Sequence, residues 1–120
     1  MPAPITVLVV EDEPLVSMAL VDELEHHHYQ VLEAPTARAA IRILESRNDI
    51  SLIITDVDMP GSMDGLMLAA AVRDRWPPIR IIVVSGHRTV QITDIPDGSI
   101  FYEKPYKFED ILRSMREMLL

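Results

Sequence analysis

Carboxylates stand directly after two of the most apolar runs in this chain. Ile5 to Val10 (ITVLVV) leads into Glu11, Asp12 and Glu13. Ser51 to Thr55 leads into Asp56, with Asp58 two residues on. A third run, Ile79 to Val84, gives way to Ser85, Gly86 and His87, and a short one, Ile100 to Tyr102, to Glu103, Lys104, Pro105 and Tyr106. Clustered carboxylates raise one another's pKa unless a cation relieves them. Glu11, Asp12 and Asp56 offer the oxygen ligands that a hard divalent ion takes, Mg²⁺ above all. A carboxylate is also a nucleophile toward phosphorus, giving an aspartyl phosphate. Such a transfer needs the phosphoryl charge neutralised. Lys104 would supply an ammonium group and Ser85 a hydroxyl. Taken singly these residues are ordinary. An Asp after a strand is usually a turn or cap residue, and Ser-Gly is a common turn dipeptide. Only their joint occurrence at successive strand ends points to a site.

The elements between them decide whether those ends meet. Pro14 suits the first turn of a helix, and Val16, Leu20 and Leu24 share one of its faces. Tyr29 to Leu32 reads as a second strand. Thr36 caps a helix whose stripe is Ala37, Ala40, Ile41 and Leu44. Asp64 and Gly65 open another, carrying Leu66, Ala69 and Ala70, which Trp76-Pro77-Pro78 stops. The last helix carries Phe108, Ile111, Leu112, Met115 and Leu119 on one face, more readily a core stripe than a partner surface. Short apolar strands alternating with helices imply parallel pairing through right-handed crossovers. Continuous apolar strands imply helices on both sheet faces. The expected product is an α/β doubly wound sandwich, which binds ligands at the carboxyl ends of its strands.

Composition sets the limits. The 120 residues suffice for one domain with a real core. A net charge of −8, from 11 Lys+Arg against 19 Asp+Glu, argues against direct nucleic-acid binding. There are no cysteines, so disulfides and thiolate metal sites are excluded. No apolar run approaches the roughly 20 residues that span a bilayer, and Met-Pro-Ala-Pro lacks the basic start of a secretory signal. A cytoplasmic location without membrane contact is expected. The triplet His26-His27-His28 cannot converge on one metal while helical, and reads as a helix end.

With these residues in view, the chain resembles the receiver domain of bacterial two-component response regulators along essentially its whole length. The matching stretches are VLVVEDEP (Val7 to Pro14), LIITDVDMPGSMDG (Leu52 to Gly65), IIVVSGH (Ile81 to His87) and FYEKPY (Phe101 to Tyr106). The resemblance implies a flavodoxin-like (βα)5 sandwich with parallel strand order 2-1-3-4-5. It implies Asp56 as phosphoacceptor from a sensor histidine kinase or phosphotransfer protein. Asp12 would ligate Mg²⁺, Glu11 would assist, and the Asp58 backbone carbonyl would complete the protein ligands. Ser85 and Lys104 would bind the phosphoryl group, and the Lys104–Pro105 peptide would be cis. The switch aromatic stands three residues before the lysine, which is Phe101 here, with Tyr102 as the neighbour on the opposite strand face. Asp58 and His87 flank the pocket. If they meet over the phosphoryl group they would gate the hydrolysing water, and dephosphorylation would follow the histidine's titration.

Two departures matter. The loop MPGSMDG is one residue longer than the commoner MPxMDG, with Gly61 placed to absorb the extra residue. Ser85 and Lys104 are only 19 positions apart, and Ile95-Pro96-Asp97-Gly98 is a turn signal. The fourth helix is therefore expected to be short or irregular, which alters the usual signalling face. The chain ends where the final helix should, so a single receiver domain over 1–120 without an output domain is expected, either stand-alone or cut from a longer protein. It would switch the affinity of an unidentified downstream protein, and two copies could pair. It would be a signalling phosphoacceptor and not a turnover enzyme. Two rivals are a receiver-like docking module that is never phosphorylated and a phosphatase of the haloacid-dehalogenase type. Asp56-Val57-Asp58 matches the latter's DxD start, but Pro60 stands where its Thr or Val belongs.

Overall fold

The computed structural model describes residues 3–86 and 89–120. Five parallel strands form one sheet: β1 (Thr6–Val10), β2 (Gln30–Ala34), β3 (Ile50–Asp56), β4 (Arg80–Ser85) and β5 (Ile100–Glu103). Their order is β2-β1-β3-β4-β5. Four helices connect or follow them: α1 (Pro14–His26), α2 (Ala37–Ser46), α3 (Gly65–Arg75) and α4 (Phe108–Met118). Among the described residues between β4 and β5, where a full fourth crossover helix was in question, the helical element is a single 3₁₀ turn, Ile92–Asp94. The segment turns back at Gly98, whose φ is +83°.

Strand alternation splits the core in two. Leu8, Val10, Ile53, Ile81 and Val83 face α2 and α3, meeting Ala37, Ala40, Leu44, Leu68 and Val72. Val7, Val9, Leu52, Ile54, Ile82 and Val84 face α1 and α4, meeting Leu20, Leu24, Ile111 and Met115. Each fully buried Leu or Ile contributes roughly 1.5–3 kcal/mol. The central strands β1, β3 and β4 are therefore buried on both faces, while β2 and β5 are partly open edges.

Several boundaries differ from the sequence reading, for physical reasons. Asp56 and Ser85 are the last residues of their strands and not the first residues beyond them. Asp56 pairs in register with Val84 and Ser85 with Glu103, which holds both on the ladder. β2 begins one residue later and ends at Ala34, because its register follows β1 from Thr6↔Gln30 to Val10↔Ala34. In α3 the buried residues are Leu68, Ala69 and Val72, whereas Leu66 is half-buried and Ala70 exposed. The seating of Gly65 against β3 sets that helix's rotation.

Phe101 and Tyr102 do point to opposite faces. Phe101 packs with the α2/α3 core and Tyr102 with the α1/α4 core. The Tyr102 hydroxyl donates to the Asp110 carbonyl at 2.9 Å and also bonds the Ser114 hydroxyl, tying β5 to α4. Tyr102→Phe removes both bonds and strands the buried Ser114 hydroxyl. The expected loss is about 1–2 kcal/mol, read as a lower urea midpoint with an unchanged slope.

Candidate functional site

The sheet delivers its polar residues to one edge because parallel strands all end on the same side. Glu11 follows β1 and is 6% exposed; Asp56 ends β3 and is 3% exposed. Ligand oxygens of Glu11, Asp12 and Asp56 lie within 4.8 Å of one another, with Asp12 the most open of the three. Lys104, just past β5, reaches in from the other side. Its Nζ stands 3.3 Å from Glu11 Oε1 and 3.4 Å from Asp56 Oδ2. The main chain locks this arrangement: the Lys104 amide donates to the Ser85 carbonyl at 2.9 Å and the Val57 amide to the Val84 carbonyl at 2.9 Å. The Lys104–Pro105 peptide is cis.

The charges explain the protonation pattern. Burial pushes the Glu11 carboxyl up to about 7, and its hydrogen bond and repulsion with Asp56 add to this, against the pull of Lys104. Burial alone would depress Lys104. The neighbouring charges of Asp56 and Glu11 outweigh that and hold its ammonium above the usual lysine range. Burial likewise raises the Tyr106 phenol, which lines a small cavity with Lys104 and with Val16 and Leu20 of α1. Among the described residues, one cation, Lys104, thus faces a carboxylate cluster that it does not neutralise. Three oxygen-donor side chains at this spacing, two of them buried, match the chemistry of a hard divalent cation.

On the β4 side, Ser85 Oγ donates to Asp58 Oδ2 at 3.1 Å, and the Asp58 amide points at Asp56 Oδ1 at 3.4 Å. The sequence assigns Asp58 both a backbone carbonyl toward the cation and a side chain flanking the pocket; the bond of its carboxylate to Ser85 comes from the fold. His87, the other residue read as a gate on hydrolysis, lies outside the described residues. His26 ends α1, and His27 and His28 follow it. His28 adopts a φ of +71°, the His27 Nδ1 lies 3.0 Å from the Glu23 carbonyl and its ring packs on Phe108. The triplet is a helix end.

A residue that the sequence reading took only as a helix opener also shapes the site. Gly65 sits so close to the end of β3 that a Cβ there would lie 1.9 Å from the Asp56 carbonyl oxygen. Its amide donates to the Val57 carbonyl at 3.0 Å. Asp64 caps α3 by accepting from the Met67 amide at 2.9 Å. Gly61 takes a φ of +102°, a conformation suited to glycine, and so accommodates the longer loop.

An acidic crescent opposite a lysine, at the carboxyl edge of a 2-1-3-4-5 sheet, defines a receiver-like class of α/β domains. The response regulator receiver domain model matches residues 7–116, and this chain belongs to that family of two-component response regulators. Over 118 residues it is 34% identical to the sensor kinase CckA of Brucella abortus, covering 95% of this chain and 12% of the kinase. It spans about a quarter or less of the length of most of the curated relatives it matches. A response regulator receiver protein from Sinorhizobium medicae superposes with a TM-score of 0.88 at 25% identity, covering 97% of this chain and 94% of that one. The response regulator TrrA of Thermotoga maritima, solved in complex with Mg²⁺-BeF, gives a TM-score of 0.80 at 26% identity, covering 94% and 97%. No helix among the described residues is long and apolar enough to cross a membrane.

Proposed function

We propose that Asp56 accepts a phosphoryl group from the histidine of a sensor kinase or phosphotransfer protein, and that the resulting acyl phosphate resets a protein-binding surface. The observation that carries this is the buried Asp56 carboxylate held 3.4 Å from Lys104 Nζ beside Glu11 and Asp12. An Asp56 oxygen attacks phosphorus, the bond from phosphorus to the donor nitrogen breaks, and the nitrogen's electron pair stays with the donor. Lys104 would pair with the phosphoryl oxygens. Ser85, now bound to Asp58, would turn its hydroxyl to them. Glu11, Asp12 and Asp56, with the Asp58 carbonyl, would hold Mg²⁺, which supplies neutralisation of the equatorial phosphoryl charge when bound. The Mg²⁺-BeF complex of the related TrrA supports that choice of ion.

The switch would pass from Ser85 into β5, whose Phe101 pairs in register with Val83. The 3₁₀ turn replaces the helix beside this path, so the altered surface would be made chiefly by β5, α4 and the loops around them. A cytoplasmic location, and a role as phosphoacceptor without turnover of external substrates, accompany this reading. Intact mass after incubation with acetyl phosphate tests it. A single phosphoryl adduct that needs Mg²⁺ and vanishes with EDTA is expected. No adduct under either condition, and none from any histidine-phosphorylated donor, would leave an unphosphorylated docking module.

The protonation of Glu11 makes cation affinity depend on pH. A carboxyl at about 7 is protonated at pH 6 and must lose that proton to serve as a ligand. Mg²⁺ should therefore bind about tenfold more weakly at pH 6 than at pH 8, and Glu11→Gln should flatten the difference. The same shift acts on folding. Because the folded pKa lies above the unfolded 4.5, the stability linked to Glu11 is full below pH 4.5 and declines as pH rises through 7. Added Mg²⁺ should raise the melting temperature more at pH 8 than at pH 6. Calorimetric titration and melting in the two buffers measure both.

A further inference from the structure

A groove of about 410 Å³ lies between the first turns of α2 and the long loop after β3. Ala37, Arg38 and Ile41 form one wall; Pro60, Gly61 and Met63 form the other. The second wall is the stretch that contains the extra residue of MPGSMDG. Gly61 points its open side outward, where a Cβ would meet nothing within 4 Å. The groove contains none of Glu11, Asp12, Asp56 or Lys104, so it lies apart from the phosphoacceptor pocket.

Its charge is unusual for this molecule. Among the described residues Arg38 is the only charged one that lines it, and Arg42 stands one turn further on the same helix face. Both are exposed. Other arginines are engaged: Arg47 with Asp49, Arg75 with Glu45 and Arg113 with Asp110. Arg38 and Arg42 enter no ion pair among the described residues. On a chain of net charge −8, this places two uncommitted cations beside an apolar floor. The groove beside α1, lined by Leu15, Tyr106 and Phe108, carries Glu23 instead and has the opposite sign.

We propose that the α2–loop groove docks a short acidic segment of a partner protein. An apolar side chain would seat on Ile41 and Met63, and flanking carboxylates would meet Arg38 and Arg42. A bare anion would make no use of the apolar floor, and a basic segment would be repelled. The proposal goes beyond the phosphoacceptor reading and is tested on unphosphorylated protein, so either can fail alone.

The test selects random phage-displayed peptides on the whole chain and measures the enriched ones by fluorescence anisotropy. Enriched peptides should carry net negative charge with at least one large apolar residue. Their affinity should fall about tenfold in Arg38→Glu/Arg42→Glu and weaken with added salt. Met63→Gln should weaken binding too, while Arg113→Glu/Arg116→Glu should leave it unchanged. Melting curves check that each variant folds. Enrichment of neutral or basic peptides, or of acidic peptides that bind the Arg38→Glu/Arg42→Glu variant equally well, would overturn the proposal. So would self-association of the wild type that the same reversal abolishes, since a second copy would then fill the groove.

Discussion

Asp56→Asn is expected to abolish the phosphoryl adduct altogether. Wild-type protein incubated with acetyl phosphate and Mg²⁺ should gain the mass of one phosphoryl group, and the variant none. The amide keeps the shape of the carboxylate but lacks the nucleophilic oxygen. The fold should tolerate the change, because Asp56 is a buried acid beside two others and, among the described residues, one lysine offsets them. Removing one negative charge from that cluster relieves repulsion on Glu11, so the Glu11 carboxyl should fall toward its ordinary value. An adduct of undiminished yield in Asp56→Asn would place the acceptor elsewhere and sink the assignment. Glu11→Gln and Asp12→Asn should slow formation without moving the site of attachment, since the nucleophile remains. Peptide mapping of the adduct distinguishes a slower reaction at Asp56 from a reaction at another carboxylate.

Gly65→Ala should damage fold and site together. The added Cβ would stand 1.9 Å from the Asp56 carbonyl oxygen, 2.7 Å from its carbonyl carbon and 2.8 Å from Val57 Cα. All three are backbone atoms, so no side chain can swing aside. Either β3 or the start of α3 must move. An overpacked core site costs about 1–3 kcal/mol, and a backbone collision belongs at the upper end. Urea denaturation should show a loss of about 3 kcal/mol. The displaced strand end carries the acceptor, so phosphorylation should slow even in protein that remains folded. The neighbouring Gly61→Ala separates the two effects. Its position has open space but a φ of +102°, so it should lose about 1 kcal/mol of stability through strain and leave Asp56 where it is. If Gly65→Ala proved as mild as Gly61→Ala, the close approach of α3 to β3 would be wrong.

Much of this was legible in the sequence because the relevant physics is local. Continuous β-branched runs specify doubly covered strands, and their alternation with helical stripes specifies a parallel sheet. Pro14, Thr36 and Asp64 mark helix starts because a missing N–H or a side-chain oxygen suits an N-terminus. Since parallel strands end on one side, Glu11, Asp12, Asp56, Ser85 and Lys104 could be grouped before any coordinates. The shortened crossover before β5 was visible too, in 19 positions and a Pro-Asp-Gly turn. What stayed hidden depends on how elements seat against each other. Leu66 and Ala70 looked as apolar as Leu68 and Val72, and only the packing of α3 chose between the faces. That Gly65 is a contact and not merely a helix opener follows from a distance of 1.9 Å, which no spacing encodes. The bonds from Tyr102 to α4 and from Ser85 to Asp58 join segments brought together by the sheet. Residue type and order thus determined which groups reach the edge of the sheet, because backbone periodicity and chain direction are properties of the sequence. Tertiary structure alone decided their distances and charges, because burial and neighbours from distant segments set both.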